Sequence, residues 1–103
     1  MTLNLYHISD SDEDRKLALT IDKSRIKYFN RNGDLVFYSE YSEIDEIILD
    51  ERYHYLIKIS VDFATFELDP FFDGDYSENA ELIKEALTKY ANAVKPKLFE
   101  VRY

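Results

Sequence analysis

Two histidines, His7 and His54, are the side chains best suited to acid–base chemistry, because imidazole titrates near neutral pH. They stand far apart in the sequence, and neither has a partner at a metal-ligand spacing. The chain contains no cysteine, no Gly-x-Ser-x-Gly elbow and only two glycines. Thiolate chemistry, a nucleophile elbow and a phosphate-cradling loop are therefore excluded. We predict no catalytic residues, no metal site and no cofactor.

A run of carboxylates is the stronger candidate for function. It contains six acids and no base, and we call it the acidic segment: Glu40, Tyr41, Glu43, Asp45, Glu46, Asp50 and Glu51. Such a surface can steer the approach of a basic protein, and tyrosine is enriched in the anchored centres of interfaces. We predict a non-enzymatic protein-interaction domain, in its most specific form a small acidic inhibitor or immunity-type protein. A purely solubilising edge is the open alternative.

Bases are concentrated elsewhere, between Arg15 and Arg31, where six of them accompany one acid. Strand alternation places four of these bases and one aromatic on one face, which we call the basic hairpin: Lys23, Arg25, Lys27, Phe29 and Arg31. This face could contact anionic membrane headgroups, which is the alternative function. The competing interpretation is a solvated strand face that deters pairing with another sheet. A small-ligand pocket is a further hypothesis.

The composition restricts the class of protein. The 103 residues predict one domain, and 21 acids against 13 bases give a net charge of −8. That charge argues against nucleic acid as a partner and favours a basic protein. The first residues show no signal-peptide pattern and no segment has the length of a membrane-spanning helix, so we expect a cytoplasmic location. The oligomeric state stays open.

The order of the elements indicates the fold class. About seven β-patterned segments between Leu3 and Leu68 precede one amphipathic helix over about 77–94. Within the single domain 1–103, we expect a first strand and acidic loop over 1–14 and a strand meander over 15–68. A helix over 75–95 and a tail or extra strand over 96–103 complete it.

Local signals support several of these elements. Asn32-Gly33 predicts a hairpin turn, and Asp75 with Glu78 predicts a helix start. We predict strands from about Ser42 to Leu49 and from Arg52 to Val61. The result is an α+β domain with about seven antiparallel strands in a curved sheet or partly open barrel. The helix then covers an apolar face that includes Leu17, Ile26, Ile57 and Phe66.

This order resembles the pleckstrin-homology-like superfold, and the stretch from Leu17 to Val94 looks most like its small bacterial, GRAM-like members. The resemblance is carried by the turn 22–24, the Asn32-Gly33 turn and the segment 41–47, which leads into the second half. It implies a mostly non-enzymatic domain that binds lipid headgroups, peptides or proteins. Lipid-binding members carry a basic pocket near the first hairpin, whereas this chain is acidic overall.

Overall fold

A computed structural model describes residues 2–10 and 14–103, so residues 11–13 of the predicted acidic loop lie outside the described part. The elements follow one another as strands β1 to β7, helix α1 and strand β8. Their bounds are Leu3–Tyr6 (β1), Leu17–Ile21 (β2), Arg25–Phe29 (β3), Leu35–Glu40 (β4), Glu46–Asp50 (β5), Leu56–Val61 (β6), Ala64–Leu68 (β7), Tyr76–Val94 (α1) and Phe99–Arg102 (β8). Single 3-10 turns occupy Tyr41–Glu43 and Glu51–Tyr53.

The first sheet is an antiparallel meander in the order β1-β2-β3-β4. Its predicted hairpin is confirmed, because β3 and β4 pair across the loop that contains Gly33. Gly33 has φ of 88°, a value that favours glycine. The Asn30 side chain accepts hydrogen bonds from the backbone N–H groups of Asn32 (2.9 Å) and Asp34 (3.0 Å) and so holds the loop closed.

The second sheet has the order β7-β6-β5-β8 and contains one parallel pair, β5 with β8. The segment after Pro96, predicted as a tail or a strand, is therefore a strand. A parallel partner requires a crossover connection, which α1 provides. The Asn92 side chain accepts a hydrogen bond from the backbone N–H of Phe99 at 2.8 Å and ties the end of the helix to the start of β8.

Two predicted strands are shorter than expected. The predicted strand 42–49 begins with the 3-10 turn Tyr41–Glu43, and β5 starts only at Glu46. The predicted strand 52–61 likewise begins with a turn, since His54 and Tyr55 both have left-handed backbones with φ of 55° and 62°. The prediction that this strand begins at Arg52 was therefore wrong, because Tyr53 and Tyr55 lie in the turn that precedes β6.

The core lies between the two sheets and α1. Ile83, Leu87 and Ala91 on the helix are at most 1% exposed and belong to one cluster with buried residues of both sheets. The two sheets also contact each other directly, because the rings of Phe37 in β4 and Phe66 in β7 stack with their centroids 4.6 Å apart. The α+β class is thus confirmed: residues 2–10 and 14–103 form two four-stranded sheets and one helix, and these sheets do not close into a barrel. Of the four residues predicted to face the core, Ile26 and Ile57 are buried, whereas Leu17 and Phe66 are half-buried.

The start of α1 agrees with the capping prediction. The Asp75 carboxylate accepts hydrogen bonds from the backbone N–H of Glu78 (2.9 Å) and the hydroxyl of Ser77 (2.8 Å). These bonds satisfy a free N–H of the first turn and lower the pKa of Asp75 below its usual value.

Replacing Ile83 by alanine tests the central role of the helix stripe. Ile83 is fully buried, so Ile83→Ala leaves a cavity and should lower the free energy of unfolding by about 2–5 kcal/mol. The neighbouring Leu82 is 44% exposed, and Leu82→Ala should change it by no more than about 0.5 kcal/mol. Urea denaturation followed by circular dichroism measures both. Equal losses in the two variants would contradict the assigned helix orientation.

Candidate protein-binding surface

Tyr41, expected as the exposed anchor of the acidic segment, lies in the core. Its side chain is fully buried, and its hydroxyl donates a hydrogen bond to the backbone carbonyl of Asp22 at 2.7 Å. Burial, together with the nearby Asp22 charge, raises the pKa of this hydroxyl well above its ordinary value. Tyr41 therefore ties the turn 41–43 to the turn between β2 and β3 and is not available to a partner. The prediction of an exposed Tyr41 was wrong because the 3-10 turn 41–43 directs the side chain of its first residue into the core.

Asp50 is also withdrawn from the surface. It is 2% exposed and binds Arg52 through two side-chain hydrogen bonds, Nε to Oδ1 at 3.0 Å and Nη2 to Oδ2 at 2.9 Å. The side-chain bonds to Arg52 are the main reason that the pKa of Asp50 lies below its usual value. Its Oδ1 also accepts the backbone N–H of Arg52 and caps the turn 51–53. Asp50 organises the chain locally and presents no free charge.

Two further carboxylates of the acidic segment are paired with bases. Glu51 contacts Lys84 of α1 at 2.5 Å, and the same ammonium reaches Glu81 at 2.7 Å. The hydrogen bonds to Glu51 and Glu81 raise the pKa of Lys84 well above its ordinary value. Glu46 lies 3.8 Å from Arg102 of β8, a looser pair in which both side chains are about half exposed. Half of the predicted acidic face is therefore engaged inside the molecule.

The remaining carboxylates lie between the end of β4 and the start of β5. Glu43 and Asp45 are exposed, whereas Glu40 is half-buried with one oxygen 3.5 Å from the hydroxyl of Tyr38. Asp45 accepts a hydrogen bond from the backbone N–H of Asp62 at 3.2 Å. This bond brings the turn between β6 and β7 against the acidic segment, an arrangement that the sequence pattern did not reveal.

That turn presents an unusual residue, Phe63. Both turn residues have positive φ, 53° for Asp62 and 69° for Phe63. The second position of such a two-residue hairpin turn favours glycine, and a side chain there is strained. Phe63 is nevertheless fully exposed and gains no burial in return. We call the group Glu43, Asp45, Asp62 and Phe63 the Phe63 surface.

The sequence analysis missed Phe63 because this residue lies inside the stretch 15–68 that was predicted as a strand meander. The structure pairs Val61 with Ala64, which leaves a turn of only two residues, Asp62 and Phe63. An aromatic in place of the expected glycine is then a departure from turn chemistry.

Only some residues of the basic hairpin lie together on one face of the sheet. Lys27 lies opposite Tyr38 in the sheet, with its Nζ 5.7 Å from the ring centroid, and the Arg25 guanidinium lies 5.9 Å from the same ring. Lys23 is exposed in the adjoining turn. Arg31 does not continue the row, since its Nη1 donates a hydrogen bond to the carbonyl of Ile8 at 3.0 Å. Phe29 is half-buried next to a β-bulge.

The two histidines occupy different environments. His7 is 6% exposed, and its Nε2 lies 2.7 Å from the carbonyl oxygen of Phe29. His54 is exposed in a turn with a left-handed backbone. Within residues 2–10 and 14–103, no three potential metal ligands of the His, Cys, Asp and Glu types come together. Three surface depressions of about 220, 310 and 400 Å³ are lined by other residues.

Comparison with known proteins finds no family model, no curated protein and no solved structure that matches this chain. In the described part of the chain, no helix combines the length and the apolar character needed to cross a membrane.

Phe63→Gly tests whether the turn is strained. Glycine adopts positive φ freely and no buried contact is lost, so the free energy of unfolding should rise by about 0.5–1 kcal/mol. Thr65→Gly, two residues along the same hairpin but inside β7, should lower it because glycine weakens a strand. Urea denaturation of both variants gives the comparison. A loss of stability in Phe63→Gly would mean that the phenyl ring supports the fold.

Proposed function

We propose that this chain is a non-enzymatic protein-interaction domain whose Phe63 surface binds a basic protein partner. The observation that carries the proposal is Phe63 itself. A fully exposed aromatic held in a strained backbone costs stability and gives the fold nothing in return. Aromatic anchors of this kind fill pockets in partner proteins and supply much of the binding energy.

The charges around Phe63 support a partner of basic character. Asp62 directly precedes Phe63, Asp45 binds the backbone of Asp62, and Glu43 lies two residues before Asp45; all three carboxylates are exposed. Together with the net charge of −8, they would accelerate the approach of a cationic surface and repel anionic ones. In its most specific form, the proposal is an inhibitor or immunity-type protein that acts in the cytoplasm.

We also propose a pleckstrin-homology-like scaffold. The meander β1–β4, the strands β5–β7 and the following helix support it, because they keep the order that suggested the resemblance. Strand β8, which extends the second sheet beside β5, is an addition to that order.

Site-specific photocrosslinking tests the partner. A benzophenone amino acid at position 63 should crosslink, in cells of the source organism, to a defined protein of basic isoelectric point that mass spectrometry identifies. The matched control carries the same group at Tyr103, which is 81% exposed and lies far along the chain from the Phe63 surface. Reversing two charges with Glu43→Lys and Asp45→Lys should abolish the crosslink from position 63, and raising the salt concentration should weaken binding.

The outcomes separate the hypotheses. Equal crosslinking from positions 63 and 103, or crosslinking that survives the charge reversal, would contradict the proposal. The purified partner should also bind Phe63→Gly at least tenfold more weakly, although that variant folds more stably. A crosslinked partner of acidic character would refute the charge argument while leaving the aromatic anchor in place.

A second candidate function, binding to anionic membranes, is favoured by one observation on the basic hairpin. Leu35, Val36 and Tyr38 of the edge strand β4 are about half exposed, and the Tyr38 ring lies near the charged groups of Lys27 and Arg25. Apolar and aromatic side chains beside bases are a composition suited to a membrane interface.

Vesicle sedimentation tests this candidate. If it holds, the protein pellets with vesicles that contain phosphatidylserine at low ionic strength, and not with pure phosphatidylcholine vesicles. Lys27→Glu should abolish pelleting, while Lys89→Glu on α1 should leave it unchanged. An unbound protein at low salt would remove the membrane hypothesis and would not affect the one based on Phe63.

A further inference from the structure

Three aromatic rings contact one another at the start of α1, and we call Tyr55, Phe71 and Tyr76 the aromatic cluster. The rings of Phe71 and Tyr76 are stacked, with their centroids 5.1 Å apart and an angle of 21° between their planes. Tyr55, which directly precedes β6, meets Tyr76 edge to face with centroids 5.4 Å apart. Phe71 is nevertheless 56% exposed. Because one face of its ring lies against Tyr76, the exposed area belongs to the opposite face and the edge.

A carboxylate accompanies the aromatic cluster. Asp69 lies two residues before Phe71 in a tight turn, in which the backbone N–H of Phe71 donates a hydrogen bond to the carbonyl of Asp69 at 2.9 Å. Burial is the main reason that the pKa of the Tyr76 hydroxyl lies above its ordinary value, and the charge of Asp69 raises that pKa further. The Asp69 carboxylate is therefore close to the rings. It is exposed and forms no ion pair with any described residue.

The bases nearest to Tyr55 in the sequence are already engaged. Arg52 donates two side-chain hydrogen bonds to Asp50. Lys58 lies directly opposite Glu67 in the sheet, a position in which opposite charges attract each other. The exposed ring face and the carboxylate beside it are therefore open to a cation from another molecule.

We propose that the aromatic cluster and Asp69 bind an arginine side chain of a partner protein. The guanidinium plane stacks on the exposed face of Phe71 and donates hydrogen bonds to the Asp69 carboxylate. Guanidinium suits this site because it is planar and weakly hydrated, whereas the ammonium of lysine is a compact, strongly hydrated charge. The inference goes beyond the Phe63 surface, since Tyr55 and Asp69 flank the open end of the β6–β7 hairpin and Phe63 lies in its turn.

A second copy of this chain is a poorer source of the guanidinium. Each of its five arginines already contacts a group of its own molecule: Arg15 the Tyr6 ring, Arg25 the Asp22 carboxylate, Arg31 the carbonyl of Ile8, Arg52 the Asp50 carboxylate and Arg102 the Glu46 carboxylate. Self-association through this site would therefore cost one of these contacts, whereas a different protein brings an arginine without that loss.

An NMR titration with the peptide acetyl-Gly-Arg-Gly-amide tests the site. Binding should shift the amide signals of residues 69–76 and the ring protons of Phe71 and Tyr76. Two matched peptides separate the properties of the side chain, because citrulline keeps the planar shape without the charge and lysine keeps the charge without the plane. Each should bind about threefold more weakly than the arginine peptide, or weaker still. Free L-arginine should bind no more tightly than the peptide, since the site contacts only the guanidinium.

Variants of the protein provide the second arm of the experiment. Asp69→Asn removes the charge and Phe71→Leu removes the ring, so each should weaken binding of the arginine peptide about threefold. The matched controls should bind normally: Glu67→Gln neutralises an exposed carboxylate two residues from Asp69, and Phe63→Leu removes an exposed ring in the turn of the hairpin. The amide spectrum outside residues 63–76 reports whether each variant keeps its fold.

Four results would overturn the proposal. They are the absence of shifts at residues 69–76 at high millimolar peptide, equal binding of the three peptides, equal weakening by Asp69→Asn and Glu67→Gln, and tighter binding of free L-arginine than of the peptide. Shifts of the Phe71 ring signals on dilution of the free protein would overturn it as well, because the site would then belong to a second copy. The normal binding expected of Phe63→Leu keeps this outcome independent of the Phe63 surface.

Discussion

The packing of one helix face against two sheets is the constraint on which the rest of this structure depends. Neither four-stranded sheet could remain folded with its apolar face in water, and Ile83, Leu87 and Ala91 of α1 cover both. The position of α1 also sets the connection to β8, which must return parallel to β5 once the chain has crossed the sheet.

The same packing explains why the acidic segment does not act as a unit. Closing the sheets against the helix draws Tyr41 inward and brings Lys84 to Glu51. Asp50 accepts hydrogen bonds from the backbone and the side chain of Arg52 and so caps the turn 51–53. What is left for a partner is a smaller group of charges, Glu43 and Asp45, next to a turn contributed by a different hairpin. A surface with fewer carboxylates and one exposed phenyl ring is a more selective binding site than a long run of charge.

Much of the fold could be predicted from local patterns. The hairpin at Asn32-Gly33, the helix start at Asp75 and the strand alternation in β6 and β7 follow from backbone preferences that act over a few residues. The wrongly predicted strand starts lie in segments where strand propensity competes with turn formation. In 41–43 and 51–55, β-favouring residues occupy turns, because tertiary packing and the Asp50 cap outweigh a weak strand propensity.

By itself, the sequence determined the α+β class, the succession of strands and helix, and the separation of bases from acids along the chain. These properties depend on composition and on periodicity, and both can be recognised from residues that are close together in the sequence. Only the tertiary structure decided which carboxylates are paired with bases, that Phe63 stands exposed after Asp62, whose backbone binds Asp45, and that β1 is the outermost strand of its sheet. Each of these depends on contacts between residues distant in sequence, and no local pattern encodes which charges will meet a partner inside the fold.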